Sequence, residues 1–324
     1  MTTGTLTRVA VTGATGFIGR QLTTHLVGQG IEVHAIVRPG SANTPAHGAT
    51  LLRTPLEESA LASAFADVDA VVHLAGVVST ATPREFIDVN VDGTRAVALA
   101  ARRAGVPLVH ISSLAAAGPA PASAPRGEDD PPHPLTPYGR SKLEGERVVQ
   151  AVDGLAWTIL RPGVVYGPGD RAMLPLFRFA KSRLMPLVGR RDAAYMFMHV
   201  TDTVRAIEAA LRSNARGGVM FIGHPRPVTA LEVLETIRAV LGRRAVIVPV
   251  PGAVLKMAAV AGEAAGHAFG RVLPINGARY QELVAPGFVC RVDRVRERLG
   301  VVAAMGIHEG FTDLAAWYRR AGWI

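Results

Sequence analysis

Along the first half of the chain, short apolar or β-branched runs alternate with stretches whose apolar residues recur at helical spacing. Arg8 to Val11, Ile31 to Val37, Ala70 to Ala75, Pro107 to Ser112 and Trp157 to Leu160 read as strands. Gly16 to Gly28 and the region around Thr94 to Ala104 read as helices between them. A further helix is expected from Thr136, a good N-cap residue, with Pro137 at the first helical position, where its missing N–H costs nothing. Alternation of this kind predicts an α/β fold, a doubly wound parallel sheet with helices on both faces. Ala117 to Pro134 is a proline-rich loop. Beyond Trp157 the pattern loosens: Gly163 to Asp170 is a glycine- and tyrosine-rich loop, and Pro175 to Phe197 reads as basic and irregular. With no internal repeat or low-complexity linker, the second half is expected to pack onto the first. Residues 1–165 would then bind a dinucleotide, with strands returning from about 195–225, and 166–324 would form a smaller α/β substrate-binding part.

Composition narrows the class. Of 324 residues 49% are hydrophobic and 19% charged, enough apolar material to offset the entropy of ordering. The lone Cys290 forms no internal disulfide. The net charge of +9 invites a nucleic-acid reading, but it is unevenly placed: residues 1–150 sum to −1 and residues 151–324 to +10. The excess is spread among apolar residues, with helix-spaced Arg291, Arg294 and Arg298 expected on solvated turns, so no nucleic-acid partner is expected. The most lipid-like stretch, Ala245 to Ala264, is broken by Pro249, Pro251, Gly252, Lys256 and Glu263, so no membrane span is expected. Met1 to Arg8 lacks the pattern of a secretory leader, and a cytoplasmic location is the expectation.

Chemistry enters at Gly13-Ala-Thr15-Gly16-Phe17-Ile18-Gly19, where the first strand runs into the first helix. Glycines there allow a tight turn and close backbone approach to a pyrophosphate, which sits at the positive end of the helix. This points to a Rossmann-type dinucleotide site. After the second strand, the position that would carry an acid for the ribose 2′-hydroxyl is Arg38. A guanidinium pairs with a 2′-phosphate and stacks on adenine, which favours NADP(H) over NAD. Arg20, just past the third glycine, reads as a solvated residue, with a second phosphate contact as the alternative.

Tyr138 and Lys142 stand four residues apart and share a helix face. An adjacent ammonium favours the phenolate, drawing the tyrosine toward a proton-transfer role at a carbonyl or alcohol oxygen. Ser112 and Ser113 close the strand before them, at the carboxyl edge where ligands bind in open α/β sheets. The ten histidines form no His-Glu-x-x-His pattern, and no Gly-x-Ser-x-Gly elbow occurs, so neither a metal site nor an acyl-transfer nucleophile is expected.

These motifs, with His73-Leu-Ala-Gly76, Asn90-Val-Asp-Gly-Thr94, Arg161-Pro-Gly-Val-Val-Tyr-Gly-Pro-Gly169 and Phe197-Met-His-Val-Thr-Asp202, resemble the short-chain dehydrogenase/reductase superfamily in its extended, NAD(P)-dependent epimerase/dehydratase-like branch. The resemblance covers nearly the whole chain and is nearest to dihydroflavonol reductases and 3β-hydroxysteroid dehydrogenases. It implies Tyr138 as acid/base, Lys142 as holder of the nicotinamide ribose, and Ser113, with Ser112 as fallback, as orienter of the substrate oxygen. It implies cofactor contacts at Leu56, at Leu74, Ala75 and Gly76, and at Pro162, Gly163 and Val165, and leaves Asn90 as either an anchor or a functional residue.

Two departures bear on function. Thr54-Pro-Leu56 replaces the family's Gly-Asp-Leu-like triplet, removing an acidic contact to the adenine amine. Leu114-Ala115 replaces the Asp-Glu pair of the sugar dehydratases, which argues for simple hydride transfer. The expected function is an NADP(H)-dependent oxidoreductase acting on a small-molecule carbonyl or alcohol. An NAD-dependent nucleotide-sugar epimerase with the same triad and a non-catalytic NADP sensor are the alternatives. The cleft would draw on Val77 to Thr82, Leu114 to Ala117, Tyr166 to Met173 and Arg183 to Met198. The helices Ala96 to Arg103 and Tyr138 to Val152 could form a homodimer face. Trp317, Tyr318 and Trp323 are expected to cover the core beneath a C-terminal helix.

Overall fold

A computed structural model describes residues 6–80, 82–213, 216–271, 273 and 275–324. The leader reading at Met1 to Arg8 rests largely on residues outside these, as does Ala81 of the expected cleft segment. Seven parallel strands form the central sheet: β1 Arg8–Thr12, β2 Glu32–Val37, β3 Thr50–Arg53, β4 Ala70–His73, β5 Leu108–Ile111, β6 Trp157–Pro162 and β7 Gly218–Ile222. Their spatial order is β7-β6-β5-β4-β1-β2-β3. The chain thus starts in the middle, winds outward on one side through β2 and β3, and crosses back through β4 to β7. The break in direction lies between β1 and β4, where such sheets open a crevice at their carboxyl ends. β1, β4 and β5 are almost continuously apolar because helices cover both faces.

The covering helices include α1 Phe17–Gly28, α2 Gly93–Ala104, α3 Pro137–Gln150 and α4 Val200–Arg212. One apolar cluster joins Val9, Val11, Leu22 and Leu26 to Ile207 and Met220, and another joins Ala10, Val71, Val97 and Ile159 on the opposite face. A third core belongs to the C-terminal region, where Phe311 packs edge-to-face with Tyr166 and Phe177, Phe177 with Tyr318, and Trp317 and Trp323 lean on Tyr318. Trp317 and Tyr318, on the C-terminal helix Ile307–Arg320, and Trp323 just past it cover the core beneath that helix as expected.

Pro175 to Phe197 is not irregular. It holds the helix Leu174–Lys181 and the strands Leu184–Leu187 and Ala194–Tyr195, which pair with segments far downstream, Val246–Pro249, Val228–Thr229 and Gly287–Phe288. Their partners lie so far along the chain that local periodicity carries no trace of them. The proline-rich loop is likewise strapped down by isolated bridges from Ala120 to Phe288 and from Arg126 to Cys290. Arg294 is not merely solvated: it is partly buried and bonds Asp129 at 2.5 Å, tying the helix Asp293–Leu299 to that loop.

Candidate active site

The glycine turn after β1 is shaped by contact with the turn after β4. Gly13 has φ +72°, and a side chain there would place its Cβ 2.6 Å from the Ala75 nitrogen and 2.7 Å from the Leu74 carbonyl carbon. Only a residue without Cβ lets the two turns close this far. The Leu74 N–H donates to the Thr12 carbonyl at 3.1 Å, and Ala75 approaches the Thr12 hydroxyl at 3.4 Å. Gly16 is the N-cap of α1 and brings no side-chain cap, so the first-turn N–H groups keep the positive end of the helix open to an anion. Arg20 is exposed and donates to the Thr15 carbonyl at 3.1 Å, and Ile18 packs against the core. Gln21 donates to the Pro168 carbonyl at 2.9 Å, holding the Gly163 to Asp170 loop over the start of α1, where Gly169 faces the Phe17 ring. This uncapped helix end behind a Cβ-free turn fits the pyrophosphate of a dinucleotide.

The proton-transfer candidates converge from α3 and the end of β5. Thr136 caps α3 by accepting from the Gly139 N–H at 3.1 Å, which starts the helix in the turn that carries Tyr138. A Cβ at Gly139 would lie 2.5 Å from the Ala115 carbonyl oxygen, so this glycine lets α3 press onto the short helix Leu114–Ala117. Ser113 is the N-cap of that short helix, accepting from the Ala115 N–H at 3.1 Å. Its hydroxyl also lies close enough to Tyr138 to act on the phenol. Lys142 is buried, and its Nζ donates to the Ile111 carbonyl at 2.8 Å. The same Nζ would be 3.9 Å from a Cβ at Gly76, so the lysine stands beside the turn after β4.

The two serines separate cleanly. Ser112 is buried and gives its hydroxyl to Glu146, which also takes Arg161 through two charge-assisted bonds of 2.9 and 2.6 Å. Ser113 faces the partly exposed Tyr138 instead. Asn90 is an anchor: its side chain accepts from the Val77 N–H at 2.8 Å and donates to the Val77 carbonyl and the Ser141 hydroxyl, both at 2.9 Å. It lies in a π-helical turn, Asp88–Asp92, and sews the segment after Gly76 to α3.

Electrostatics departs from the sequence expectation at one point. Burial pushes the Lys142 ammonium down to about 8, against support from Glu146. Burial also raises the Tyr138 phenol, with the Ser113 hydroxyl lowering it and Glu282 raising it. In this arrangement Lys142 does not draw Tyr138 toward neutrality, because its Nζ is spent on Ile111; the group that favours the phenolate is Ser113.

The remaining expected contacts scatter. Arg38 is exposed at the carboxyl end of β2, and its guanidinium makes no hydrogen bond or ion pair among the described residues. Leu56 packs against Gly93. Pro162 ends β6, the Gly163 N–H donates to the Ile222 carbonyl at 3.0 Å, and Val165 pairs with Met198, so this turn is strapped to β7 and to the strand Phe197–His199. Asp202 acts as a clasp, accepting from the Ala304 and Met305 N–H groups, both at 3.0 Å.

Sequence reasoning missed Glu282 and Arg279. They pair at 3.0 Å on the helix Gly277–Val284 and act electrostatically on Tyr195, and Glu282 acts on Tyr138 as well. That helix therefore flanks the site, and no local signal more than a hundred residues downstream of Tyr138 announces it.

Fold and site together define a dinucleotide-binding α/β enzyme. Residues 9–223 match the NAD dependent epimerase/dehydratase family, and the chain belongs to that family, within the extended short-chain dehydrogenase/reductase superfamily. It is similar to a ceramide reductase of Caulobacter vibrioides (32% identical, covering 98% of this chain and 96% of the relative). It is also similar to sterol demethylase protein B of Methylococcus capsulatus (30% identical, 97% and 99% covered). Among solved structures, MoeE5 in complex with UDP-glucuronic acid and NAD superposes with a TM-score of 0.77 at 27% identity, covering 97% of this chain and 99% of that one. Family members carry the names of reductases, dehydrogenases and epimerases, and this chain is an NAD(P)-dependent enzyme of the same type.

Proposed function

We propose that the chain is an NADP(H)-dependent oxidoreductase acting on a carbonyl or alcohol carbon of an apolar small molecule. The observation that carries the reading is the contact of Ser113 with Tyr138 beside Lys142, whose Nζ borders the Gly76 turn. The cofactor would be held by Gly13, Thr15, Gly16, Phe17, Ile18 and Gly19, by Leu74 to Gly76, and by the Pro162-Gly163 turn with Val165. When bound, its nicotinamide supplies or accepts the hydride. Residues 1–165, with the returning stretch 195–225, would make that half of the site, and 166–324 the substrate half.

Tyr138 passes its proton to the substrate oxygen in reduction and takes it back in oxidation. A phenol raised above its ordinary value is protonated at neutral pH, which suits it as a donor. Ser113 donates to the same oxygen and shares the developing negative charge. Lys142, charged below about 8, stands where it can hold the nicotinamide ribose. Arg38, exposed and without an acidic partner at the end of β2, supports a 2′-phosphate. An apolar substrate is supported by two nearly full-length relatives whose names refer to a ceramide and a sterol.

The test is Tyr138→Phe against a panel of apolar ketones with NADPH. Turnover is expected to fall by about 10²–10⁴ with NADPH affinity unchanged, and unaltered turnover overturns the mechanism. A second reading, a nucleotide-sugar enzyme cycling a resident NAD, is favoured by the likeness to MoeE5 with its UDP-sugar and NAD. Nucleotide released on denaturing the purified chain separates them: stoichiometric NAD supports the second, exchangeable NADPH the first.

A further inference from the structure

The helix Gly252–Phe269 buries a narrow strip, Leu255 and Ala259, against the rest of the protein. Its other side is apolar and open to solvent: Val254, Met257, Val260 and Phe269 are 48%, 65%, 64% and 77% exposed. At helical spacing, Val254, Met257, Ala261, Ala264 and Ala268 fall on one exposed stripe. The two charged residues of the helix, also exposed, border this side next to Val260 and Ala264. Lys256 and Glu263 line the groove toward the helix Gly277–Val284, where Glu263 accepts from the Gly277 N–H at 2.7 Å. An ordinary surface helix turns a mainly polar side to water; the exposed side of this one is mainly apolar. Just before it, the strand pair Leu184–Leu187 and Val246–Pro249 continues the pattern with exposed Leu184, Val246 and Val248.

Cations gather at the same end. Arg243 and Arg244 lead into the strand Val246–Pro249, and the Arg183 carbonyl accepts from the Val246 N–H at 2.9 Å. Arg191, Arg238, Arg243 and Arg244 line a groove of about 610 Å³ in which Glu235 is the one acid. None of these five arginines is in an ion pair among the described residues.

We propose that this face docks peripherally on an anionic phospholipid membrane, the apolar stripe entering the boundary between headgroups and acyl chains and the arginines meeting the lipid phosphates. Charge selects that occupant. A second copy seated on the same face would oppose two sets of unpaired arginines, whereas an anionic lipid surface neutralises them. The contact lies on the surface and is not a span, since no described helix is long and apolar enough to cross a membrane. Its place in the fold gives it a use. The apolar helix packs on Gly277–Val284, the helix whose Glu282 acts on Tyr138, so an apolar molecule leaving the bilayer there emerges at the flank of the candidate site. Docking does not rest on the redox reading, because binding to lipid needs no turnover.

The experiment is co-sedimentation of the full chain with vesicles of phosphatidylglycerol and phosphatidylcholine, compared with phosphatidylcholine alone. Binding is expected only to the anionic vesicles and should weaken with salt. Arg243→Glu with Arg244→Glu should lower the vesicle partition coefficient at least tenfold, as should Val254→Glu with Met257→Glu and Val260→Glu. Val254→Gln with Met257→Gln serves if the glutamates disturb folding. All variants should keep the wild-type melting curve and turnover of a short, water-soluble ketone. Equal binding to both vesicle types, no binding, or a dimer that the apolar variants convert to monomer while vesicles are ignored would overturn the proposal.

Discussion

Glu146 grips Arg161 through both carboxylate oxygens at 2.9 and 2.6 Å, with both side chains buried and the Ser112 hydroxyl on the same carboxylate. One turn of α3 after Lys142, this pair locks the helix that carries Tyr138 to β6. Removing one partner leaves the other charge buried and alone, so Glu146→Ala is expected to cost about 3–5 kcal/mol in urea unfolding. Glu146→Gln, which keeps part of the hydrogen bonding, should cost less. Equal stability of Glu146→Ala and wild type would contradict the clamp.

The serines should separate kinetically. Ser113→Ala is expected to lower kcat by about 100-fold while leaving the melting temperature within a degree or two. Ser112→Ala should do the opposite, losing about 1–2 kcal/mol of stability with kcat nearly intact. Steady-state kinetics beside thermal melts reads both.

Lys142 is held in the fold at an energetic cost. Its folded value of about 8 lies below the ordinary lysine value of 10.5, so the folded state resists its charge. The penalty is full below about 8 and fades as pH rises toward 10.5. Lys142→Met should therefore stabilise the chain at pH 7, by up to about 3 kcal/mol, while turnover collapses. The stability gap should close above the folded value of about 8, as equilibrium unfolding across a pH series will show.

Acid sensitivity has a defined source. His73 and His110 stack at 5.2 Å in the core, and neither His110 nitrogen has a partner among the described residues. Burial, then the Lys142 charge, holds His73 down to about 3 and His110 well below its ordinary value. The unfolded chain takes these protons near 6.5 and the folded chain does not, so stability is lost as pH falls below 6.5. His73 alone should account for about 2 kcal/mol at pH 5. His110→Leu removes one of the two and should flatten the acid limb of the stability curve.

Cofactor choice is expected to turn on Arg38. Arg38→Glu should lower the preference for NADPH over NADH by about 100-fold, through loss of the phosphate partner and gain of a ribose acceptor. An unchanged ratio of kcat/KM values would move the discrimination elsewhere.

What the sequence by itself determined are features whose physics is local. A strand running into Gly13-Ala-Thr-Gly16 needs only neighbouring residues to form an anion-binding turn, and Tyr138 and Lys142 share a face because a helix repeats every 3.6 residues. The alternation that predicts a parallel sheet is local too, and five of the seven strands were legible within a residue or two. Tertiary structure alone decided which serine is free, because Glu146 and Arg161 reach Ser112 from other elements. It also decided that the Lys142 ammonium donates its hydrogen bond to the Ile111 carbonyl rather than to Tyr138, and that Glu282 comes to the site from a distant helix. The pairing of Leu184–Leu187 with Val246–Pro249, and the apolar helix left facing water beside it, were equally out of reach. A periodic pattern reports that a helix has an apolar side; only packing decides whether that side meets the core, and here most of it does not.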